Sequence, residues 1–162
     1  AIRVGEAHAC ALNHVGRLKC WGLNIRGQLG DGSMTSRTTP VDVQFSGTFK
    51  AVAIGLWHTC AVTSVGSVKC WGNGSFGQLG NGTYDAWRLT PQTDVIGMGS
   101  SAVDIAAGSD HTLALVDGGS VKSWGNNTYG ELGNGESAPL MPRMVDGFPR
   151  VDDLFLDGFD HR

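Results

Sequence analysis

Residues 5–22 read GEAHACALNHVGRLKCWG, residues 55–72 read GLWHTCAVTSVGSVKCWG, and residues 108–125 read GSDHTLALVDGGSVKSWG. A fourth copy starts at Gly158 as GFDHR. The leading glycines Gly5, Gly55, Gly108 and Gly158 lie 50, 53 and 50 residues apart. Each block runs into a second shared stretch: GLNIRGQLGDG from Gly22, GNGSFGQLGNG from Gly72, and GNNTYGELGNG from Gly125. A period near 50 made of short apolar segments and glycine punctuation is that of a four-stranded propeller blade. The chain divides accordingly into repeats at 1–48, 49–99 and 100–149, with the start of a fourth at 150–162.

The pattern within each repeat predicts four strands and no helix, because the loops lack the apolar spacing of about 3.6 residues that a helix shows. Phe49–Ile54, Ala102–Ala106 and Val151–Leu156 read as first strands. Ala7–Leu12, His58–Val62 and His111–Val116 read as second strands, and Arg17–Trp21, Ser67–Trp71 and Ser120–Trp124 as third strands. Val41–Phe45, Pro91–Val95 and Pro142–Val145 read as weaker fourth strands, each near a proline, which suits a sheet edge. The fold class is all-β: about three four-stranded blades of a propeller.

The register of the central hairpin follows from its turn. His14-Val15-Gly16, Ser64-Val65-Gly66 and Asp117-Gly118-Gly119 separate the second and third strands. A three-residue hairpin loop ends on a left-handed residue, and Gly16, Gly66 and Gly119 stand there. Asn13 and Arg17 then close the turn, and counting outward sets Cys10 opposite Cys20 and Cys60 opposite Cys70. Both are non-hydrogen-bonded pairs, with Cα atoms about 4.5 Å apart, at the short end of disulfide geometry. The third repeat has Leu113 and Ser123 at these places, so both cysteines are missing together. Two buried free thiols per repeat is the competing reading. Zinc fits poorly, since cysteines ten apart lack close ligand spacing. Disulfides persist in oxidising compartments, so the expected location is extracellular or the secretory lumen.

Three N-glycosylation triplets accompany the cysteines: Asn73-Gly74-Ser75, Asn81-Gly82-Thr83 and Asn126-Asn127-Thr128. All fall in expected loops, where asparagine also serves turn chemistry. A glycan on at least one of them is expected.

Composition narrows the classes further. Hydrophobic residues at 41% exclude a disordered tail, and the net charge of −3 argues against nucleic acid and against an anionic membrane surface. No apolar run approaches the roughly 20 residues of a membrane-spanning helix, so no membrane insertion is expected. The opening Ala1-Ile2-Arg3-Val4-Gly5 carries no leader. The expectation is that a leader has been removed or that the chain is a piece of something larger.

The units AHACALNHVGRLKCWGLNIRGQLGDG and HTCAVTSVGSVKCWGNGSFGQLGNG resemble the repeats of the regulator of chromosome condensation family. Glycine, histidine, alanine, Trp-Gly and Gly-Gln-Leu-Gly recur at fixed offsets through essentially the whole chain. The resemblance implies a propeller, usually a closed ring of seven four-stranded blades, of which this chain is a segment. The paired cysteines are a departure that resembles extracellular members. Too few repeats for a ring implies a longer chain, or several copies or fragments completing one.

Candidate chemistry is sparse. Gly72-Asn73-Gly74-Ser75-Phe76-Gly77 matches the dinucleotide fingerprint, but no helix follows to receive a pyrophosphate, so no cofactor is expected. His8, His58, His111 and His161 recur once per repeat. Blade symmetry spreads them too widely for one metal ion, and the expected role is tying ring nitrogens to backbone. Trp21, Trp71 and Trp124 read as packing, whereas Trp57 and Trp87 stand outside the repeat and are candidates for surface contact. Asp152, Asp153, Asp157 and Asp160 read as a solvated acidic turn. No nucleophile has a histidine and acid at recognisable spacing, so no enzyme is expected. The reading is an extracellular protein-interaction or structural module, partnered by protein or by further copies or segments of propeller. The alternative, which the resemblance implies, is guanine-nucleotide exchange on a small GTPase.

Overall fold

The structure, a computed structural model, describes residues 1–84, 86–137, 140–145 and 147–148. The expected strand at Val151–Leu156, His161 and the acidic cluster from Asp152 to Asp160 lie outside the described residues.

Three antiparallel sheets follow one another along the chain. The first contains β1 (Ile2–Val4), β2 (His8–Leu12), β3 (Leu18–Gly22) and β4 (Arg37–Asp42), in that order across the sheet. The second contains β5 (Phe49–Ile54), β6 (His58–Thr63) and β7 (Val68–Gly72). The third contains β8 (Ala102–Ala107), β9 (His111–Val116), β10 (Val121–Gly125) and β11 (Arg143–Met144). Among the described residues there is no helix. Each sheet is a meander, so neighbours in sequence are neighbours in space. β5 packs against β1 and β2, and β8 against β5 and β6, which stacks the sheets as consecutive blades.

The hairpin turn sets the register. The Asn13 N–H donates to Arg17 O at 3.0 Å and the Gly16 N–H to Asn13 O at 3.2 Å, with Gly16 at φ 81°. Any side chain there would also strike Thr48, whose Cβ lies 2.7 Å from an added Cβ. Cys10 therefore faces Cys20, Cys60 faces Cys70, and Leu113 faces Ser123.

Burial distinguishes the middle blade from its neighbours. All six residues of β6 are buried, because both faces of that sheet are covered. In β9, Thr112, Ala114 and Val116 are buried while Leu115 is exposed, the alternation of a sheet covered on one face. Two apolar clusters fill the junctions. Leu12, Leu18, Leu29, Phe49, Val52 and Trp71 lie between the first and second blades. Val62, Val68, Leu79, Val95, Ile105 and Trp124 lie between the second and third.

The strand expectations differ from the structure at the edges. β1 is an additional short strand. In the first blade the fourth strand covers Arg37–Asp42 rather than Val41–Phe45, with Pro40 on the sheet edge. In the second blade the expected strand Pro91–Val95 reduces to one isolated bridge, Lys69–Asp94, with another, Gly72–Arg88, ahead of it. The loops show why. Asn24 is fully buried, and its amide donates to Asp31 Oδ1, Ser33 O and Thr35 O at 3.0–3.1 Å, pinning the segment that leads into β4. Asn127 holds Glu136 O in the same way in the third blade. The matching position of the second blade is Gly74, which has no side chain to hold its loop.

The shared register predicts that the third blade accepts the missing crosslink. Leu113→Cys with Ser123→Cys should form a disulfide on oxidative refolding. The entropic gain of about 3 kcal/mol for so short a loop is offset by about 1 kcal/mol from the lost bond of Ser123 Oγ to Leu132 O. Urea unfolding should show a net gain of roughly 1–2 kcal/mol. Two thiols that stay free after oxidation would contradict the register.

Candidate functional site

The best-defined polar constellation lies at the blade junctions. Gln28 follows a glycine turn in the first blade, and its backbone carbonyl points at the second. There it accepts two hydrogen bonds, from the Trp71 indole Nε1 at 3.0 Å and from the Thr59 hydroxyl at 2.8 Å. The Gln78 carbonyl repeats this one blade on, accepting from Trp124 Nε1 at 2.9 Å and Thr112 Oγ1 at 3.1 Å. The final glycine of Gly-Gln-Leu-Gly exists for this approach. A Cβ on Gly30 would lie 2.6 Å from Trp71 Nε1, and one on Gly80 2.7 Å from Trp124 Nε1. The glutamine side chains close their own turns: Gln28 Oε1 accepts from Arg26 N, and Gln78 Oε1 from Phe76 N.

The recurrent histidines complete the junction. His8 Nε2 lies 2.9 Å from Thr59 Oγ1, and His58 Nε2 lies 3.0 Å from Thr112 Oγ1. Each hydroxyl has one hydrogen and spends it on a glutamine carbonyl, so it can only accept from the ring. Nε2 of both histidines therefore carries a proton. The expectation of a backbone partner is corrected: the ring reaches a threonine hydroxyl on the next blade. The leading glycine makes room for the ring, since a Cβ on Gly55 would lie 2.1 Å from His58 Cε1.

The other nitrogen, Nδ1, is buried in both rings without a hydrogen-bond partner among the described residues. Protonation would place an unpaired N–H and a charge there. Burial accordingly pushes the His58 pKa down to about 3, aided by the positive charge that His8 and His111 would carry. Burial pushes His8 down to about 4. Among the described residues no group of three histidine, cysteine or acidic side chains is placed to hold a metal ion.

The cysteines form two disulfides, Cys10–Cys20 and Cys60–Cys70, each with Cα atoms 4.1 Å apart and buried in the blade. The candidate surface tryptophans part company. Trp57 is half-buried, and its carbonyl accepts from Asn73 N. Trp87 is 44% exposed, and its ring lies under the Arg26 guanidinium at 5.5 Å, a cation–π contact between loops of adjacent blades. Ile25, Phe76, Tyr84 and Tyr129 are further exposed apolar or aromatic side chains on the loops. Sequence reasoning had no handle on the glutamine carbonyls, because a backbone acceptor leaves no side-chain signature.

Asn73, Asn81 and Asn126 share one local geometry. The carbonyl oxygen of each side chain accepts from the backbone N–H and the hydroxyl of the Ser or Thr two residues on. Asn73 is 8% exposed, whereas Asn81 and Asn126 are partly open.

The buried neutral histidines predict an acid-sensitive fold. Their pKa values are lower folded than unfolded, so the unfolded chain binds more protons below about 6.5. Stability is fully present above that pH and is lost as pH falls towards the folded values. The loss is about 1.4 kcal/mol per pH unit for each histidine. Urea midpoints measured from about pH 7 down to about pH 4.5 should fall steadily. A flat profile over this window would contradict the neutral state of the buried rings.

Known proteins place this geometry. The family described as Regulator of chromosome condensation (RCC1) repeat matches residues 16–62 and 66–115, and a second form of the same repeat matches residues 49–78 and 102–131. The human protein named Probable E3 ubiquitin-protein ligase HERC3 is 36% identical over 151 residues, covering 91% of this chain and 14% of the ligase. Yeast RCC1 (Prp20), solved bound to Kap60, superposes with a TM-score of 0.78 at 23% identity, over 90% of this chain and 36% of that one. Human WBSCR16 superposes with a TM-score of 0.76 at 27% identity, over 89% of this chain and 38% of that one. The chain thus spans a minor part of each. The glycine, histidine, tryptophan and Gly-Gln-Leu-Gly positions that build the junctions are those of the repeat, and the chain belongs to the regulator of chromosome condensation (RCC1) repeat family, as a partial β-propeller of three blades.

Proposed function

We propose that this chain is a non-enzymatic protein-interaction scaffold that works outside the cytosol, in the secretory lumen or the extracellular space. The observation that carries the location is the pairing of every cysteine in the chain into buried cross-strand disulfides. Reducing compartments keep such thiols reduced, whereas oxidising ones let the bond contribute to folding. Supporting the scaffold role, the recurrent polar groups of the repeat are spent on holding blades together, and the loops carry the exposed side chains. Binding surfaces are disproportionately built from loops held by a rigid scaffold. Yeast RCC1, of like fold, is seen in complex with a protein, Kap60.

The exposed apolar faces of the first and third blades suit cover by further blades, from the same polypeptide or from other copies. Ile2 and Val4 are 69% and 78% exposed on one side, and Leu115 is 39% exposed on the other. The ligase activity in the name of the human relative has no counterpart in the side chains gathered here, and the chain matches only 14% of that protein. Guanine-nucleotide exchange is the second reading. It draws on a bovine protein named Secretion-regulating guanine nucleotide exchange factor, 38% identical over 47 residues.

The two readings separate on the thiols. Protein from the cells that make it, alkylated before lysis, should take up no label at Cys10, Cys20, Cys60 or Cys70. After reduction its mass should rise by about 4 Da, two hydrogens per bond. Full labelling of all four thiols in the native protein would overturn the location and favour a cytosolic role.

A further inference from the structure

We infer that Asn126 is an N-glycosylation site and that Asn73, which carries an equally good triplet at the same place in its repeat, is not. The assignment rests on the proposed passage through the secretory lumen. Two observations separate the two asparagines.

The first is access. The bond forms at the side-chain amide nitrogen, which must reach solvent and stay there once sugar is attached. Asn73 is 8% exposed. A glycan there would have to displace neighbouring loop. Asn126 is only half-buried, and Thr128 beside it is exposed.

The state of the amide suits the transfer at Asn126 but does not separate it from Asn73, whose Oδ1 accepts the same two bonds. Asn126 Oδ1 accepts from Thr128 N at 2.9 Å and from Thr128 Oγ1 at 2.6 Å. Both bonds use the oxygen, and the Nδ2 hydrogens have no partner among the described residues. The backbone is fixed nearby by Asn126 N donating to Asp110 O and by Asn127 accepting from Leu132 N at 3.0 Å. The free amide therefore sits on a held turn.

The second is Tyr129, whose ring is 91% exposed, the largest exposure among the bulky apolar and aromatic side chains described. It stands three residues from Asn126. The C–H face of a sugar ring stacks on an aromatic face as other apolar surface does, so the first sugar units have a platform. The corresponding ring beside Asn73 is Phe76, 48% exposed.

The step balances without any redox partner. Asn126 Nδ2 loses one hydrogen as a proton and bonds to the anomeric carbon of a lipid-linked oligosaccharide, and the lipid pyrophosphate leaves with the bonding pair. Thr128 supplies the hydroxyl that holds the amide oxygen.

The test uses the full-length protein from cells that make it, treated with an amidase that cleaves N-glycans and converts the carrier asparagine to aspartate. Peptide mass mapping should show a gain of about 1 Da at position 126 and none at 73. Thr128→Ala made in the same cells should lose the sugar, and Thr128→Ser should keep it. Paired cysteines with an unmodified Asn126, or sugar on Asn73, would overturn the assignment alone. Free thiols with an unmodified Asn126 would overturn it together with the location on which it rests.

Discussion

Two backbone carbonyls, those of Gln28 and Gln78, set the spacing of the blades. Each takes an indole N–H and a hydroxyl from the next blade, and that hydroxyl in turn takes an imidazole N–H from the blade the carbonyl belongs to. All of these groups are buried, and a buried polar group left without its partner costs about 1–3 kcal/mol. Moving one blade against the next would orphan several at once. The apolar clusters supply the drive to associate, but area is indifferent to small displacement. The hydrogen bonds are not, and they fix one arrangement. The residue types follow: tryptophan for a large apolar body with one donor, threonine for a hydroxyl that both gives and receives, histidine for a ring that spans the gap.

The disulfides act on a different link of the same chain of causes. They hold the central hairpin of the first two blades, inside sheets whose junctions are already specified. The third blade has leucine and serine at those places, and Ser123 bonds to Leu132 O instead. The second junction is seated on Thr112 and Trp124 of the blade that has no crosslink, so a blade needs no disulfide to take part in one. What the crosslinks add is resistance of each hairpin to unfolding, of most use where no reducing system attends the protein.

Local features were legible in the sequence. Gly16 fixes the hairpin, and from it the pairing of Cys10 with Cys20 follows by counting. The recurrence of histidine and tryptophan announced a repeated role. The partner of the histidine was not legible, because Thr59 lies 51 residues from His8 and on another sheet. Nor were the glutamine carbonyls, since any residue has one and only the turn aims it. Ile2–Val4 escaped notice because both of its apolar side chains are exposed, so no alternation marks a buried face. The fourth strand of the second blade was expected from Pro91–Val95, but its loop lacks the asparagine that pins the other two. Among the loop residues, Trp87 was singled out as an outsider to the repeat, while its cation–π partner Arg26 sits inside a repeat unit and carried no signal.

Hydrogen exchange of the tryptophan indoles, followed by NMR, tests the junction directly. The Trp71 and Trp124 N–H groups are bonded to buried carbonyls, whereas Trp87 is 44% exposed on a loop. The first two should exchange only through opening of the fold, orders of magnitude more slowly than Trp87. Exchange of Trp71 and Trp124 at the rate of Trp87 would mean that the carbonyls do not hold the blades.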